Sequence, residues 1–147
     1  MSVNGRGAVI PARLLRHPWR RSTDRRSTSI GTMVNVGMPF FRVAVADDGA
    51  LLIRPGGPAR LLVGNLQLNA EDVARAMFAS SRSPRSISTG GGLAIELLNG
   101  ELILVWLDRG AAEAFLHELA DHGGNADFSP WEWRYDLGKV KVVPANR

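Results

Sequence analysis

The segment HELADH (117–122) has the residue types of a metal-binding or catalytic motif. A zinc-binding helix needs two histidines at i and i+4, so that both imidazoles point at one ion. Here Asp121 stands four residues after His117, and His122 stands five residues after it. His117 and Asp121 could supply two metal ligands with Glu113 on the same side, but these three fall on the polar side of the predicted helix, as charged residues of an ordinary amphipathic helix do. We therefore expect no metal site and no cofactor.

A loop rich in serine, arginine and glycine, SSRSPRSISTGGG (80–92), also has residues suited to binding. Arginines and glycine N–H groups bind phosphate, but a P-loop opens a helix with Gly-Lys-Ser/Thr, and a strand pattern follows here. A plain connector is one interpretation; a phosphate- or partner-binding loop that uses Arg82 and Arg85 is the other. No G-x-S-x-G elbow or paired-carboxylate frame is present, so we predict no catalytic residues and no enzymatic activity.

The N-terminal segment differs in charge from the rest of the chain. Residues 1–29 contain seven arginines and one aspartate, whereas residues 30–147 contain 11 basic and 13 acidic side chains. A segment of such composition buries little apolar surface, so we expect residues 1–33 to be a disordered arm and residues 34–147 to be one domain. The domain alone then gives no electrostatic reason to bind nucleic acid.

Three interpretations of this arm stay open. It is a nucleic-acid-binding tail, a targeting peptide, or a segment upstream of a true start at Met33 or Met38. In the first interpretation the arginines contact phosphates and Trp19 stacks on a base. The binding residues would be Arg13, Arg16, Trp19, Arg20, Arg21, Arg25 and Arg26.

Two hairpins are predicted from turn dipeptides between β-prone runs. FFRVAVADDGALLIR (40–54) turns at Asp48-Gly49, and LAIELLNGELILVW (93–106) turns at Asn99-Gly100. A two-residue turn in the second hairpin pairs Leu98 with Glu101. That register places one apolar set on a single face: Leu93, Ile95, Leu97, Leu102, Leu104 and Trp106.

A helix pattern follows each of these hairpins. NAEDVARAMFAS (69–80) begins with Asn69 as N-cap, and its apolar residues recur at helical spacing at Ala70, Val73, Ala74, Met77 and Phe78. DRGAAEAFLHELADHGG (108–124) starts at Asp108 and ends at two glycines. Its apolar stripe is Ala112, Phe115, Leu116 and Leu119. The order predicts two ββα units, and whether they are a true duplication stays open.

The last hairpin, WEWRYDLGKVKVV (131–143), concentrates aromatic residues on one strand face. A turn at Leu137-Gly138 pairs Trp133 with Val142 and sends Trp131, Trp133, Tyr135, Val140 and Val142 to one side. The lysines and Arg134 fall on the other side, whereas a base-stacking platform needs cations beside its aromatic rings. We therefore predict that the aromatic face packs internally.

The sequence thus predicts an α+β domain in which a mostly antiparallel sheet of three hairpins, ordered ββα-ββα-ββ, packs on two helices. The longest apolar run is too short to cross a bilayer, and the absence of cysteine suits the cytoplasm. We expect a small non-catalytic protein-interaction or accessory module that binds a protein partner or a second copy of itself as a homodimer. The alternative is a nucleic-acid-associated accessory protein that binds through the arginine-rich arm.

Overall fold

A computed structural model of the chain describes residues 2–11, 14, 33–57, 64–81, 91–136 and 139–145. These residues form a nine-stranded sheet, one α-helix and one turn of 3-10 helix. The strands are β1 (Ser2–Pro11), β2 (Met33–Val45), β3 (Leu51–Pro55), β4 (Leu66–Leu68), β5 (Val73–Ser81), β6 (Gly92–Leu97), β7 (Leu102–Trp106), β8 (Ala126–Asp136) and β9 (Lys139–Pro144). The helix α1 spans Arg109–Asp121, and the 3-10 turn spans Ala70–Asp72.

The sheet is mixed, and its strand order is β4-β3-β2-β1-β7-β6-β5-β8-β9. All neighbouring strands are antiparallel except β5 and β8. Because parallel neighbours cannot be joined by a tight turn, the chain reaches β8 from β5 by way of β6, β7 and α1. The expected sheet of three hairpins on two helices, in the order ββα-ββα-ββ, is therefore wrong. The described residues form a nine-stranded mixed sheet with one α-helix.

Strand β1 lies in the middle of the sheet, although its residues were expected to be disordered. It pairs along its length with β2 and through two residues with β7. Its Ile10 is fully buried, and the nearby Leu14 packs against the same core. The expectation of a disordered arm over residues 1–33 is thus wrong for residues 2–11. The local signal is weak because two glycines and a proline lower the strand propensity, so distant pairing partners determine the structure.

The segment expected to form the first helix is strand β5. Asn69 starts only the 3-10 turn, in which the Asp72 N–H donates to the Asn69 carbonyl at 2.9 Å. Residues 76–79 are buried in alternation on the two faces of the sheet, between β6 and β8. A short apolar run that is buried on both faces also has residues at helical spacing, so periodicity does not separate the two structures. The predicted stripe and the pair of ββα units are therefore wrong.

The second predicted helix is confirmed as α1. The Asp108 carboxylate accepts a hydrogen bond from the Ala111 N–H at 2.8 Å and so caps the helix start. The helix ends before Gly123, whose φ of 82° suits a residue that follows a helix C-terminus. Its buried side chains are those of the predicted stripe: Ala112, Phe115, Leu116 and Leu119.

The first and third hairpins are confirmed, and the second has a different register. Leu97 donates its N–H to the Glu101 carbonyl, and Gly100 closes a three-residue turn with a φ of 91°. Such a turn contains a glycine bulge, which shifts the predicted pairing by one residue. As a result, β7 is turned over: Leu104 and Trp106 lie on the face opposite Leu93, Ile95 and Leu97.

Apolar side chains are buried on both sides of the sheet. The inner core includes the buried face of α1 and residues of β1, β2, β3, β5, β6 and β7. The outer core lies on the other side and includes Val9, Met77, Leu104, Trp131 and Trp133. No helix among the described residues combines the length and the apolar character that crossing a membrane requires.

Candidate functional site

The binding residues predicted from the sequence lie outside the part of the chain that the structure describes. They are Arg82, Arg85, Arg13, Arg16, Trp19, Arg20, Arg21, Arg25 and Arg26. Their assignment to phosphate, a protein partner or nucleic acid stays a prediction. Their place in the chain is nevertheless clearer, because all the N-terminal residues in this set belong to the connection between β1 and β2.

The HELADH segment lies at the end of α1, where its histidines make packing and capping contacts. The His117 ring packs against the Phe128 ring, with centroids 4.7 Å apart and 35° between the planes. The His122 Nδ1 lies 2.9 Å from the Glu118 carbonyl oxygen. Within the described ranges, no three His, Asp or Glu side chains are placed to hold a metal ion.

The two tryptophans on the aromatic face of the last hairpin pack internally, as predicted. Trp131 and Trp133 are buried in the outer core together with Val140. The Trp133 ring meets the Trp106 ring of β7, with centroids 4.9 Å apart. The Arg75 guanidinium lies over the Trp131 ring at 4.3 Å from its centroid. Because the two tryptophan rings of this hairpin are buried, they do not form a stacking platform for bases.

Strand β8 contains an irregular segment, DFSPW (127–131), that changes the direction of its side chains. On β8, Asp127 and Trp131 are four residues apart. Their pairing partners on β5, Met77 and Ala79, are only two residues apart. Three residues of β8 therefore face one residue of β5. Extra residues of this kind bend a strand and re-aim its side chains. Here they leave Phe128 51% exposed beside α1.

A chain of hydrogen bonds holds this segment in place. Ser129 donates its N–H (2.9 Å) and its hydroxyl to Asp127 Oδ1. The same hydroxyl accepts a hydrogen bond from Trp131 Nε1 at 3.1 Å. Arg75 Nη1 lies 4.0 Å from Asp127 Oδ2, and Arg75 Nε donates to Glu96 Oε1 at 3.0 Å. The Phe128 backbone is thus fixed on both sides.

These contacts keep Asp127 ionised. The hydrogen bond from the Ser129 hydroxyl is the largest cause that lowers the pKa of Asp127. Burial opposes it, while the Ser129 N–H, Trp131 and the charge of Arg75 lower the pKa further. A carboxylate with a lowered pKa is a poor base, and the Ser129 hydroxyl is already engaged as donor and acceptor. The arrangement suits anchoring of the strand rather than activation of a nucleophile.

The DFSPW segment, α1 and β5 surround a cleft of about 260 Å³, which we call the helix-side cleft. Its floor is apolar, since Phe78 and Leu116 are buried. Its rim is polar, with the Arg109 guanidinium 4.7 Å from the Phe78 ring centroid and with the exposed Glu113. The residues that line it are Phe78, Ser80, Arg109, Glu113, Leu116, Asp127, Phe128, Ser129, Pro130 and Trp131.

The opposite side of the sheet has a second surface, which the charge count of the sequence did not reveal. We call it the outer basic face; it consists of the exposed residues Asn4, Arg6, Phe40, Arg42 and Arg54. Asn4, Arg42 and Arg54 are cross-strand partners on β1, β2 and β3, and Arg6 is the partner of Phe40. The alternating pattern of the first hairpin contains the signal for Arg42 and Arg54. The position of Arg6 depends on the pairing of β1, which no local pattern indicates.

The chain matches no protein-family model and no curated protein. Its function is therefore inferred from the chemistry of these two surfaces. The helix-side cleft offers an exposed aromatic ring near one arginine, Arg109, and one exposed carboxylate, Glu113. The outer basic face offers arginines and a second exposed ring on one side of the sheet.

Proposed function

We propose that this protein is a small non-catalytic protein-interaction module whose partner docks at the helix-side cleft. The observation that carries the proposal is the position of Phe128, which is 51% exposed at the cleft while hydrogen bonds fix the strand segment around it. Interfaces use rigid aromatic side chains beside pockets as their main anchors. Because the ring is already held in place, little conformational entropy is lost when a partner covers it.

The size of the cleft favours the side chains of a partner over a free ligand. Sites for small molecules have volumes of roughly 300–1,000 Å³ and enclose most of the ligand surface. The helix-side cleft has about 260 Å³, and Phe128 stands at its exposed edge. A cleft of this size accommodates one or two side chains of a protein that covers the surrounding surface.

The charge around the cleft favours a partner with basic groups. Exposed carboxylates of α1 and its cap, on Asp108, Glu113 and Asp121, lie on the same side of the sheet as the cleft. The Asp127 carboxylate is already engaged by Ser129 and Arg75 and adds no free charge. Arg109 is the cation in the lining. Complementary charges accelerate association and orient the two proteins.

The partner is either another protein or a second copy of this chain in a homodimer. The cytoplasm is the compartment we propose, because the sequence contains no cysteine and so fits a reducing environment. The Arg82 and Arg85 loop remains a further proposed contact for such a partner or for phosphate.

The experiment compares Phe128→Ala with Leu98→Ala, a control in which another exposed apolar residue (68% exposed) is truncated on the turn between β6 and β7. Sedimentation velocity reports self-association, and cross-linking in cell extract followed by quantitative mass spectrometry identifies other partners. The Kd for the identified partner, measured with purified proteins, should rise about tenfold or more for Phe128→Ala and stay unchanged for Leu98→Ala. Equal Kd values for Phe128→Ala and the wild type would contradict the proposal.

A further inference from the structure

The outer basic face brings together side chains that are far apart in the sequence. Its two rows run across neighbouring strands: Asn4, Arg42 and Arg54 form one row, and Arg6 and Phe40 form the other. Neighbouring strands are about 5 Å apart, and successive side chains on one face of a strand are about 7 Å apart. Three guanidinium groups and one aromatic ring therefore share a patch of sheet that is only a few strands wide.

The cations of this patch have no matching anions among the residues that the structure describes. None of the three guanidinium groups forms an ion pair or a hydrogen bond with another described residue. The other residues of β1 to β4 whose side chains are described on this side of the sheet are uncharged: Ser2, Val9, Ala44, Leu52 and Gln67. Arg42 and Arg54 are direct cross-strand partners, an arrangement that repulsion makes unfavourable. A polyanion bound on this face would relieve that repulsion.

The aromatic residue of the patch is open on one side. Phe40 is 61% exposed, with Arg6 as its partner on β1. On β3 the adjacent position is Gly56, whose N–H donates to the Phe40 carbonyl at 2.6 Å. A Cβ at this position would lie 3.2 Å from the Phe40 carbonyl oxygen and 3.7 Å from the Phe40 Cβ, and glycine places no side chain there. The exposed Phe40 ring is therefore accessible to a planar group from solvent.

We propose that the outer basic face binds single-stranded nucleic acid, with Phe40 stacking on a base and Arg6, Arg42 and Arg54 contacting phosphates. Unpaired bases stack on exposed aromatic rings of flat sheets, and arginines beside the rings follow the backbone. A duplex keeps its bases stacked inside and would offer only phosphates to this face. The site lies on the side of the sheet opposite α1, so it is separate from the helix-side cleft and independent of the function proposed for that cleft.

The experiment measures fluorescence anisotropy of labelled oligothymidylate of about ten nucleotides with the full chain. A duplex of the same length and inorganic polyphosphate serve as competitors. The full chain is used throughout, so that the arginines between β1 and β2 contribute equally to every measurement. The variants are Arg42→Ala/Arg54→Ala and Phe40→Ala, with Arg134→Ala and Leu98→Ala as matched controls at exposed positions outside the face. Thermal unfolding of each variant confirms that it is folded.

The double arginine variant should bind at least about tenfold more weakly. Its plot of log K against log salt should also be less steep by about 1.4, the value for two lost phosphate contacts on a single strand. Phe40→Ala should bind oligothymidylate about fivefold or more weakly with an unchanged slope, because stacking does not displace counterions. Both controls should match the wild type, and the duplex should compete less well than an unlabelled single strand.

Three results would overturn the inference. The first is an absence of salt-sensitive binding by the wild type. The second is an unchanged affinity and slope in Arg42→Ala/Arg54→Ala, which would place any binding elsewhere on the chain. The third is an unchanged affinity in Phe40→Ala together with equal competition by duplex and polyphosphate, which would show a general polyanion surface with no preference for unpaired bases.

Discussion

Ser129 connects the charge of Asp127 to the buried ring of Trp131, donating to one and accepting from the other. We expect Ser129→Ala to raise the pKa of Asp127 towards its ordinary value, because the hydroxyl is the largest cause of its lowering. A depressed carboxyl pKa stabilises the fold above the ordinary pKa of aspartate, and this stability is lost as the pH falls through the folded-state pKa. The variant should therefore be less stable than the wild type at neutral pH.

The measurement is thermal unfolding of both proteins from pH 7 down into the acid range, combined with a carboxyl NMR titration of Asp127. The difference in Tm should shrink as the pH falls below the range in which aspartate ordinarily titrates. Ser2→Ala, at an exposed position of β1 outside this network, is the control. A Tm difference that is constant across the pH range would show that the hydroxyl acts through packing alone.

At the scale of elements, Gly100 decides which face of β7 points inward. Its φ of 91° closes the three-residue turn between β6 and β7, and a Cβ there would have open space around it. Gly100→Ala should therefore destabilise through the backbone alone, by about 1–2 kcal/mol. Gly110→Ala, within α1, is the control: its Cβ would lie 3.9 Å from Asp108 Oδ1, and alanine should stabilise the helix by up to about 1 kcal/mol. Urea unfolding measures both, and equal effects of the two substitutions would contradict this account of the turn.

Elements with complete local signals could be predicted from the sequence. Helix α1 has a capping aspartate, an apolar stripe and terminal glycines within one segment, and the last hairpin has alternation on both sides of its turn. The sequence pattern of β5 does not distinguish a strand from a helix, because this segment is a strand only by pairing with β6 and β8 at its two edges. The register of the second hairpin depends on a bulge that the Asn99-Gly100 pair does not distinguish from a two-residue turn.

The candidate surfaces were harder to predict than the elements. The sequence drew attention to arginine-rich segments because charge density is visible along the chain. The outer basic face instead joins residues of β1, β2 and β3, and the helix-side cleft joins α1, β5 and β8. Such groupings appear only when the strand order is known. The exposed Phe40 and Phe128 gave no signal of their own in an otherwise apolar pattern.

At the scale of the whole molecule, β1 joins the two parts of the sheet, β4-β3-β2 and β7-β6-β5-β8-β9. Deleting residues 1–11 should abolish cooperative unfolding, since it would expose the edges of β2 and β7 and open the inner core. Ile10→Ala is the milder test: this fully buried residue should cost about 2–5 kcal/mol, whereas the exposed Asn4→Ala should stay within about 0.5 kcal/mol. Calorimetry measures both, and wild-type stability after the deletion would contradict the central position of β1.

The outer basic face as a site for single strands is tested most directly by NMR on the ¹⁵N-labelled full chain. Oligothymidylate of about ten nucleotides is added at low salt, and the shifts of the backbone amides are followed. The amide signals of β1, β2 and β3 around Arg6, Phe40, Arg42 and Arg54 should shift together and saturate with one Kd. The amide signals of α1 and of residues 127–131 should not shift. Shifts centred on the helix-side cleft, or a saturating interaction that leaves β1 to β3 unmoved, would contradict this claim.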